Sequence, residues 1–513
     1  LSKDIYNNYH YILNLLKDIN TAFMKGLRIT AKELKGLGVR EVNHIEAFAR
    51  TLNQLLKHRK GTKAELLSVV ASLLENPSKF NANGNPFQDL AVLLLCPKTY
   101  NSKVVGYQSE DPDIVLRREP LPYPVFGIEC IEASAIGQME NAMRLPVSLA
   151  GALMPDAHEG YGLPIGGVLA TSANVVIPYA VGVDIACRMC LSVFPLPYSS
   201  AEKNANRFRN LLLKNTIFGV GAKNKVHIDT SVFERQEWSA TRFIKQNKDL
   251  AFSQLGTSGG GNHFVEWGEL RVIKNDPLLG IEPGAYLALL SHSGSRGFGN
   301  EVAMHYSRIA MEMVKLPREA RHLAWLNLST EPGQEYWVAM NLAGEYASAN
   351  HHEIHAKMRI DLGVTPITMI ENHHNFAWKE RLPDGRTAII HRKGATPAGL
   401  NAIGIIPGSM TQPGYIIKGK GNPGSLCSAS HGAGRSMSRS QALKNFDWHQ
   451  LHEALQRANV ELIGGDLDEA PMAYKEIDRV MALQSDLVEI LAVFQPRIVR
   501  MADPDTRARR RNV

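Results

Sequence analysis

Apolar positions change their rhythm along this chain. In the first hundred residues they recur at helical spacing: Thr62 and Glu65 form a capping-box pattern, and Leu66, Leu67, Val70, Leu73 and Leu74 follow on one helical face. After about Asn101 the prolines Pro112, Pro120, Pro122 and Pro124 mark extended, turn-rich chain leading to a short predicted strand at Val125 to Cys130. From Met154 onward short apolar runs end repeatedly in glycine-rich turns, at Gly167 to Thr171, Val175 to Val183, Tyr286 to Leu290, Ile367 to Ile370, Ala388 to His391 and Ile403 to Ile406. These read as strands running into loops. Longer helical patterns cover Gln334 to Arg359 and Tyr474 to Val493. The expected architecture is α+β: a helical N-terminal extension over residues 1–101, then a mixed-sheet body over 102–513 with its functional loops at one side of a sheet.

The hydrophobic fraction of 44% over 513 residues is that of a globular enzyme, and a formal charge of +7 favours a polyanionic partner. Basic clusters stand at Lys57, Arg59, Lys60 and Lys63 and at Arg507, Arg509, Arg510 and Arg511, although such clusters also occur as plain solvated surface. Five cysteines, Cys96, Cys130, Cys187, Cys190 and Cys427, fit a reducing, cytoplasmic setting better than a disulfide framework. The run Ala91 to Cys96 is too short to span a bilayer, and Lys3, Asp4, Lys17 and Asp18 interrupt the N-terminal apolar pattern, so no membrane association is expected. The oligomeric state is not encoded in any pattern here; a monomer is the working expectation.

The chemistry is carried by histidines on the glycine-rich turns. Asp184 and Cys187 offer a hard oxygen and a soft sulfur three residues apart, suited to Zn, Mn, Fe or Co, with softness alone favouring zinc. A thiolate can bridge two ions and so permit a two-metal clamp on phosphate oxygens. The bland alternative is a buried core cysteine beside a strand-end carboxylate. Cys187 and Cys190 form a CxxC without a second one, which argues against a zinc ribbon. The run Gly256 to His263 imitates a dinucleotide fingerprint, but its three consecutive glycines end in Asn262-His263 where a Rossmann turn would open an apolar helix. A turn presenting Asn262 as amide and His263 as ligand fits better, with Glu266 as a supporting acceptor or a ribose or base contact.

His292 lies in another flexible turn, with Arg296 available for a phosphate; a lone loop histidine is as often a hydrogen-bonded surface residue. His373 and His374 are adjacent at a strand end, so only one of them can readily face the site. His431 precedes a predicted helix, Ser436 to Leu443, whose N-terminal amides favour an anion; it is a candidate nucleophile, or else a helix cap. Lys393, beside Arg392, and the pair Arg435 and Arg439, spaced one helical turn apart, are candidate phosphate contacts, as is Arg296, although a solvated helix face would look the same.

Taken together these segments resemble the RtcB-type RNA ligases. The matching stretches are Pro155-Asp156-Ala157-His158-Glu159-Gly160-Tyr161-Gly162, Gly182-Val183-Asp184-Ile185-Ala186-Cys187, Gly260-Gly261-Asn262-His263-Phe264, His292-Ser293-Gly294, His373-His374-Asn375, His391-Arg392-Lys393-Gly394, Pro407-Gly408-Ser409-Met410 and His431-Gly432-Ala433-Gly434-Arg435. The resemblance implies an RtcB-like body that joins RNA ends carrying a 2',3'-cyclic phosphate or 3'-phosphate to a 5'-hydroxyl, using GTP and manganese. It implies that Asp184, Cys187, His263, His292 and His374 hold two Mn²⁺ ions with Cys187 bridging, and that His431 attacks the α-phosphate of GTP. It further implies a guanylate pocket lined by Asn262, His263, Phe264, Val265, Glu266, His374, Asn375, Pro407, Gly408, Ser409, Met410, His431, Gly432, Ala433 and Gly434, and a role in activity for Asp156. The amides of Gly432 to Gly434 are expected to hold phosphate oxygens.

Three positions depart from the family pattern. Ile498-Val499-Arg500-Met501 stands where a Val-Val-Lys-Gly terminus is typical, Gly414 where a pocket serine is common, and Arg188 where glycine is common. Arg500 is the expected substitute for the lysine that touches guanine, although its planar fork differs from an ammonium. Two other functions compete with ligation: a binuclear metal-dependent phosphoesterase and a non-catalytic RNA-binding paralogue.

Overall fold

A computed structural model of the chain describes residues 29–37, 39, 48–49, 51–53, 55–56, 62–80, 87, 90–91, 94 and 114–504. The basic residues 57, 59, 60 and 507–511, Cys96, the boundary near Asn101 and Pro112 lie outside them. The chain divides into two compact units, Leu1–Glu110 and Asp111–Val513. In the first, the capping box forms as expected: Thr62 accepts from the Glu65 amide at the start of helix Lys63–Glu75, which buries Leu66, Val70 and Leu73.

The second unit is built on two sheets. The larger joins strands Ile403–Ile406, Gly414–Gly419, Val488–Met501, Phe264–Val272, Gly284–Ser293, Arg188–Phe194 and Thr368–His373 in that order, all antiparallel, with Glu461–Ile463 added in parallel to Val488–Met501. The smaller runs Ser148–His158, Ile165–Ser172, Thr387–Lys393, Asn375–Arg381, also antiparallel. Helices Arg242–Gln254, Arg296–Met313 and Glu331–Leu362 pack into one apolar core around Trp238, Phe298, Tyr336 and Tyr346. The fold is therefore α+β with a mixed sheet.

Four expectations need correction. Val125 to Cys130 is a single bridge from Val125 to Leu153 followed by a 3-10 turn, Ile128–Cys130, because Gly127 turns the chain at φ +66°. Val175 to Val183 keeps only a two-residue strand, Val175–Val176, since Pro178 opens the short helix Pro178–Val181. Tyr474 to Val493 is no long helix: Ile477–Ala482 is helical, and Val488–Met501 is a strand whose apolar stretch Ile490 to Phe494 is continuous and carries no period to distinguish strand from helix. The helix after His431 begins only at Arg439, capped by Ser438 with Gln441, so His431 does not stand at helix amides.

Candidate active site

Antiparallel order explains how distant ligands meet. Strands Phe264–Val272, Gly284–Ser293, Arg188–Phe194 and Thr368–His373 are consecutive neighbours, so the start of one lies beside the end of the next. His263 precedes the first, His292 is near the end of the second, Cys187 precedes the third and His374 follows the fourth. All four sit at one sheet edge. His374 passes directly into strand Asn375–Arg381 of the smaller sheet, which brings that sheet's edge, with Asp156, His158 and Lys393, to the same place. His431 arrives at the end of strand Ser428–Ser430.

The side chains converge. His263 Nε2 lies 2.9 Å from Asp184 Oδ2, Cys187 Sγ is 3.1 Å from His292 Nε2 and 3.7 Å from His263 Nε2, and His292 Nε2 is 3.3 Å from His374 Nε2. Two groups with metal-ligand spacing result, Asp184-Cys187-His263 and Cys187-His292-His374, sharing the sulfur. His292 Nδ1 must donate to the Asn262 carbonyl oxygen at 2.9 Å, which leaves Nε2 as a lone pair aimed into the group. Burial pushes His292 down to about 3 and His374 well below the ordinary imidazole range, so both are neutral and able to coordinate. Burial raises the Cys187 thiol, with the Asp184 charge adding to it; a cation here replaces its proton. Burial alone would raise Asp184 too, but the hydrogen bond and charge of His263 outweigh it and hold the carboxyl below its usual value. Gly294 is required: a Cβ there would meet the Asp184 carboxylate.

A second buried Cys-His-His group, Cys190, His351 and His355, is a different object. The Ser293 carbonyl can only accept, so His351 Nε2 donates to it at 3.2 Å and Nδ1 accepts from Ser291 Oγ at 2.7 Å. Ser291 Oγ then accepts from His355 Nε2 at 2.8 Å, and His355 Nδ1 accepts from Ser192 Oγ at 2.7 Å. Every ring nitrogen is satisfied in one consistent direction without a cation. Asn350 extends this polar seam, accepting from the Gly256 and Thr257 amides and donating to the Thr257 carbonyl.

His431 stands beside the sulfur-sharing groups, its ring 5.0 Å from that of His374. Asp156 is fully buried behind it, and its Oδ2 accepts from His431 Nδ1 at 2.6 Å and from the His431 amide at 3.0 Å. Burial would raise Asp156, but the His431 charge and hydrogen bond and the nearby Lys475 hold it below its usual range. The carboxylate oxygen can only accept, so Nδ1 carries a proton, and in the neutral ring the lone pair is on Nε2. Lys475, which sequence reading missed, donates to the carbonyls of Pro155 and Ala157 at 3.1 and 2.7 Å and fixes this stretch. Gly434, at φ +72°, lets the 431–434 turn press on the Asp156 backbone, where a Cβ has no room.

These groups line a cavity of about 920 Å³. Among its walls are Asp184, Cys187, Asn262, Phe264, Glu266, His292, His374, Asn375, Lys393, Pro407 to Met410, Gly414, His431 to Gly434, Arg435 and Arg439. Phe264, Met410, Val499 and Met501, which pack in one apolar cluster, form an apolar part of its wall. Glu266, raised well above the carboxylate range by burial, and Ser409, whose buried hydroxyl has no partner, also line the cavity. Asn375 is partly committed, donating to the Asp184 carbonyl and accepting from the Gly394 amide.

Several predicted residues are placed otherwise. Val265 alternates to the opposite face of its strand and joins a separate core. Arg500 does the same: Val499 and Met501 line the cavity, while Arg500 lies over Phe218 and pairs with Asp503 at 2.9 Å. Arg296 donates to Thr257 Oγ1 and the Gly219 carbonyl, both at 3.0 Å, and does not line the cavity. Arg435 and Arg439 do not share a helix face; Arg435 precedes the helix, and both pair with Glu469, at 3.0 and 2.6 Å. The Gly432 and Ala433 amides are taken by Asp156 and the Pro407 carbonyl, which leaves them unavailable to a phosphate. Arg188 is buried against Glu371 at 2.9 Å, behind the cysteine it follows. His373 stacks on Trp378, leaving His374 as the member of the pair that faces the site.

The family model of the tRNA-splicing ligase RtcB matches residues 138–253 and 233–502. The chain is 33% identical to the RNA-splicing ligase RtcB of Escherichia coli strain K12 over 391 residues, covering 70% of this chain and 92% of that protein. It is 30% identical to the tRNA-splicing ligase RtcB of Methanococcus maripaludis over 429 residues, and 28% identical to that of Thermococcus kodakarensis over 435, each covering 70% of this chain and 89% of the relative. Matched over most of its length, with the histidines, cysteine and aspartate of the family's motifs drawn to one sheet edge, the chain belongs to the RtcB family.

Proposed function

We propose that this chain is an RNA ligase that acts in tRNA splicing or RNA repair, joining a 3'-phosphate or 2',3'-cyclic-phosphate end to a 5'-hydroxyl with GTP as the activating substrate. The carrying observation is the position of His431, buffered by Asp156 and beside two ligand groups that share Cys187. The donor set of one carboxylate, one thiolate and three imidazoles suits a pair of manganese ions, for which Asp184 and His263 would form one side and His292 and His374 the other. Bound there, they supply Lewis-acid polarisation of the reacting phosphate.

The residues of this chain do the rest. His431 Nε2 attacks the GTP α-phosphate, pyrophosphate leaves, and Asp156 stabilises the charge that develops on the ring. The apolar part of the cavity wall suits a purine, with Glu266 and Ser409 as its polar contacts. The GMP passes from His431 to the RNA 3'-phosphate, and the 5'-hydroxyl then displaces it; a cyclic phosphate is first opened by water. We read Asp111–Val513 as the catalytic body, the first unit as an appended helical region, and the cytoplasm as the setting.

Labelled GTP and Mn²⁺ test this directly. An acid-labile GMP adduct that disappears in His431→Ala, with joining of a 3'-phosphate RNA to a 5'-hydroxyl RNA, is the expected result. Phosphate release from RNA ends with no adduct would instead identify a phosphoesterase.

A further inference from the structure

Three rings from separate segments stand together beside the cavity, and one of them, Tyr161 in the loop after strand Ser148–His158, lines it. Tyr161 lines the cavity and is 66% exposed. Its ring lies 6.4 Å from that of Tyr179 and 5.9 Å, edge-on, from that of His322, and the latter two are 5.1 Å apart. The backbone beneath Tyr161 is fixed although its ring is open. Lys393 Nζ donates to the Tyr161 carbonyl oxygen, and Gly162, at φ +73°, lies so close to the His322 carbonyl that a Cβ would collide with it. A tethered loop that holds an aromatic face toward solvent is organised for something other than core burial.

Charge does not explain what that is. Arg435 and Arg439 are paired with Glu469, Arg296 is turned away, and Glu132 and Glu159 line the same cavity as Tyr161. A nucleic-acid strand entering here gains little from phosphate attraction but can lay a base on a ring. We propose that Tyr161, backed by Tyr179 and His322, is a stacking platform for the unpaired nucleobases next to the phosphate-bearing 3' end of the RNA. The proposal rests on the ligase reading and adds where the strand lies: over the exposed ring of Tyr161 in the wall of the cavity that His431 also lines.

An RNA oligonucleotide with a 3'-phosphate and 2-aminopurine as its penultimate base tests this with the full chain, by anisotropy and by quenching of the base. The unaltered protein and Tyr161→Phe should quench and bind alike. Tyr161→Ala should lose most of the quenching and bind about tenfold more weakly, with a smaller loss in the same direction for Tyr179→Ala. If Tyr161→Ala does not fold, Tyr161→Leu keeps the bulk and removes the ring. Quenching and affinity unchanged without the ring would overturn the platform; so would a Phe variant as weak as Ala, because the hydroxyl would then be the contact. Failure of the unaltered protein to form a GMP adduct sinks the ligase reading separately, since the stacking assay needs no GTP.

Discussion

His431 is held by a carboxylate 275 residues away in sequence, which in the proposed ligase tunes its reactivity. Asp156→Asn keeps the shape but removes the charge that stabilises a protonated ring, so single-turnover adduct formation with labelled GTP should slow by about 10²–10⁴-fold. A second residue-scale consequence concerns acid. His391 is fully buried, accepts from the Ile177 amide and donates to the Leu169 carbonyl, and burial pushes it down to about 4. Because its folded value lies below its unfolded value, the unfolded chain takes up the extra proton between about pH 6.5 and 4. Stability therefore falls as pH drops through that window, by up to about 1.4 kcal/mol per pH unit for this one group. Urea unfolding across that range should be correspondingly less steep in pH for His391→Gln.

At the scale of elements, the decisive feature is a helix with a polar buried seam. Glu331–Leu362 buries Asn350, His351 and His355 against the strand that carries His292 and the loop that carries His263. Asn350→Ala leaves the Gly256 and Thr257 amides without their partner and should cost about 1–3 kcal/mol in urea unfolding. It should also weaken Mn²⁺ binding, read from free Mn²⁺ by electron paramagnetic resonance; unchanged affinity would mean that the seam supports the fold alone. The strands expected at Gly167 to Thr171, Tyr286 to Leu290, Ile367 to Ile370, Ala388 to His391 and Ile403 to Ile406 are present, while others, such as Ser148–His158, Arg188–Phe194 and Phe264–Val272, are not read from the sequence pattern. The pattern fails at Val488–Met501, whose apolar stretch Ile490 to Phe494 is continuous and carries no period, and at Val175 to Val183, where a proline divides one apolar run into a two-residue strand and a helical turn.

For the molecule as a whole, the proposed ligands are spread from Asp184 to His374, so cation binding is tied to the folding of the entire body. Saturating Mn²⁺ should raise the calorimetric melting temperature, with about 2.7 kcal/mol of stabilisation at a hundredfold excess over the dissociation constant. Asp184→Ala with Cys187→Ala should abolish that rise. Among the described residues no helix is long and apolar enough to cross a membrane.

Residue types and their order determined the chemistry available: a thiolate, a carboxylate and histidines on glycine turns, in an arrangement that resembles one family along most of the chain. They also determined that His373 and His374 must diverge, since neighbouring strand residues face opposite ways. What they left open was commitment. Arg296, Arg435, Arg439 and Arg500 read as free cations until the fold supplied their carboxylate, hydroxyl and carbonyl partners, and the Gly432 and Ala433 amides read as an anion cradle until Asp156 and Pro407 took them. Those partners come from other segments of the chain, and only the packing of two sheet edges against each other decides which polar groups are spent on the fold and which are left for a ligand.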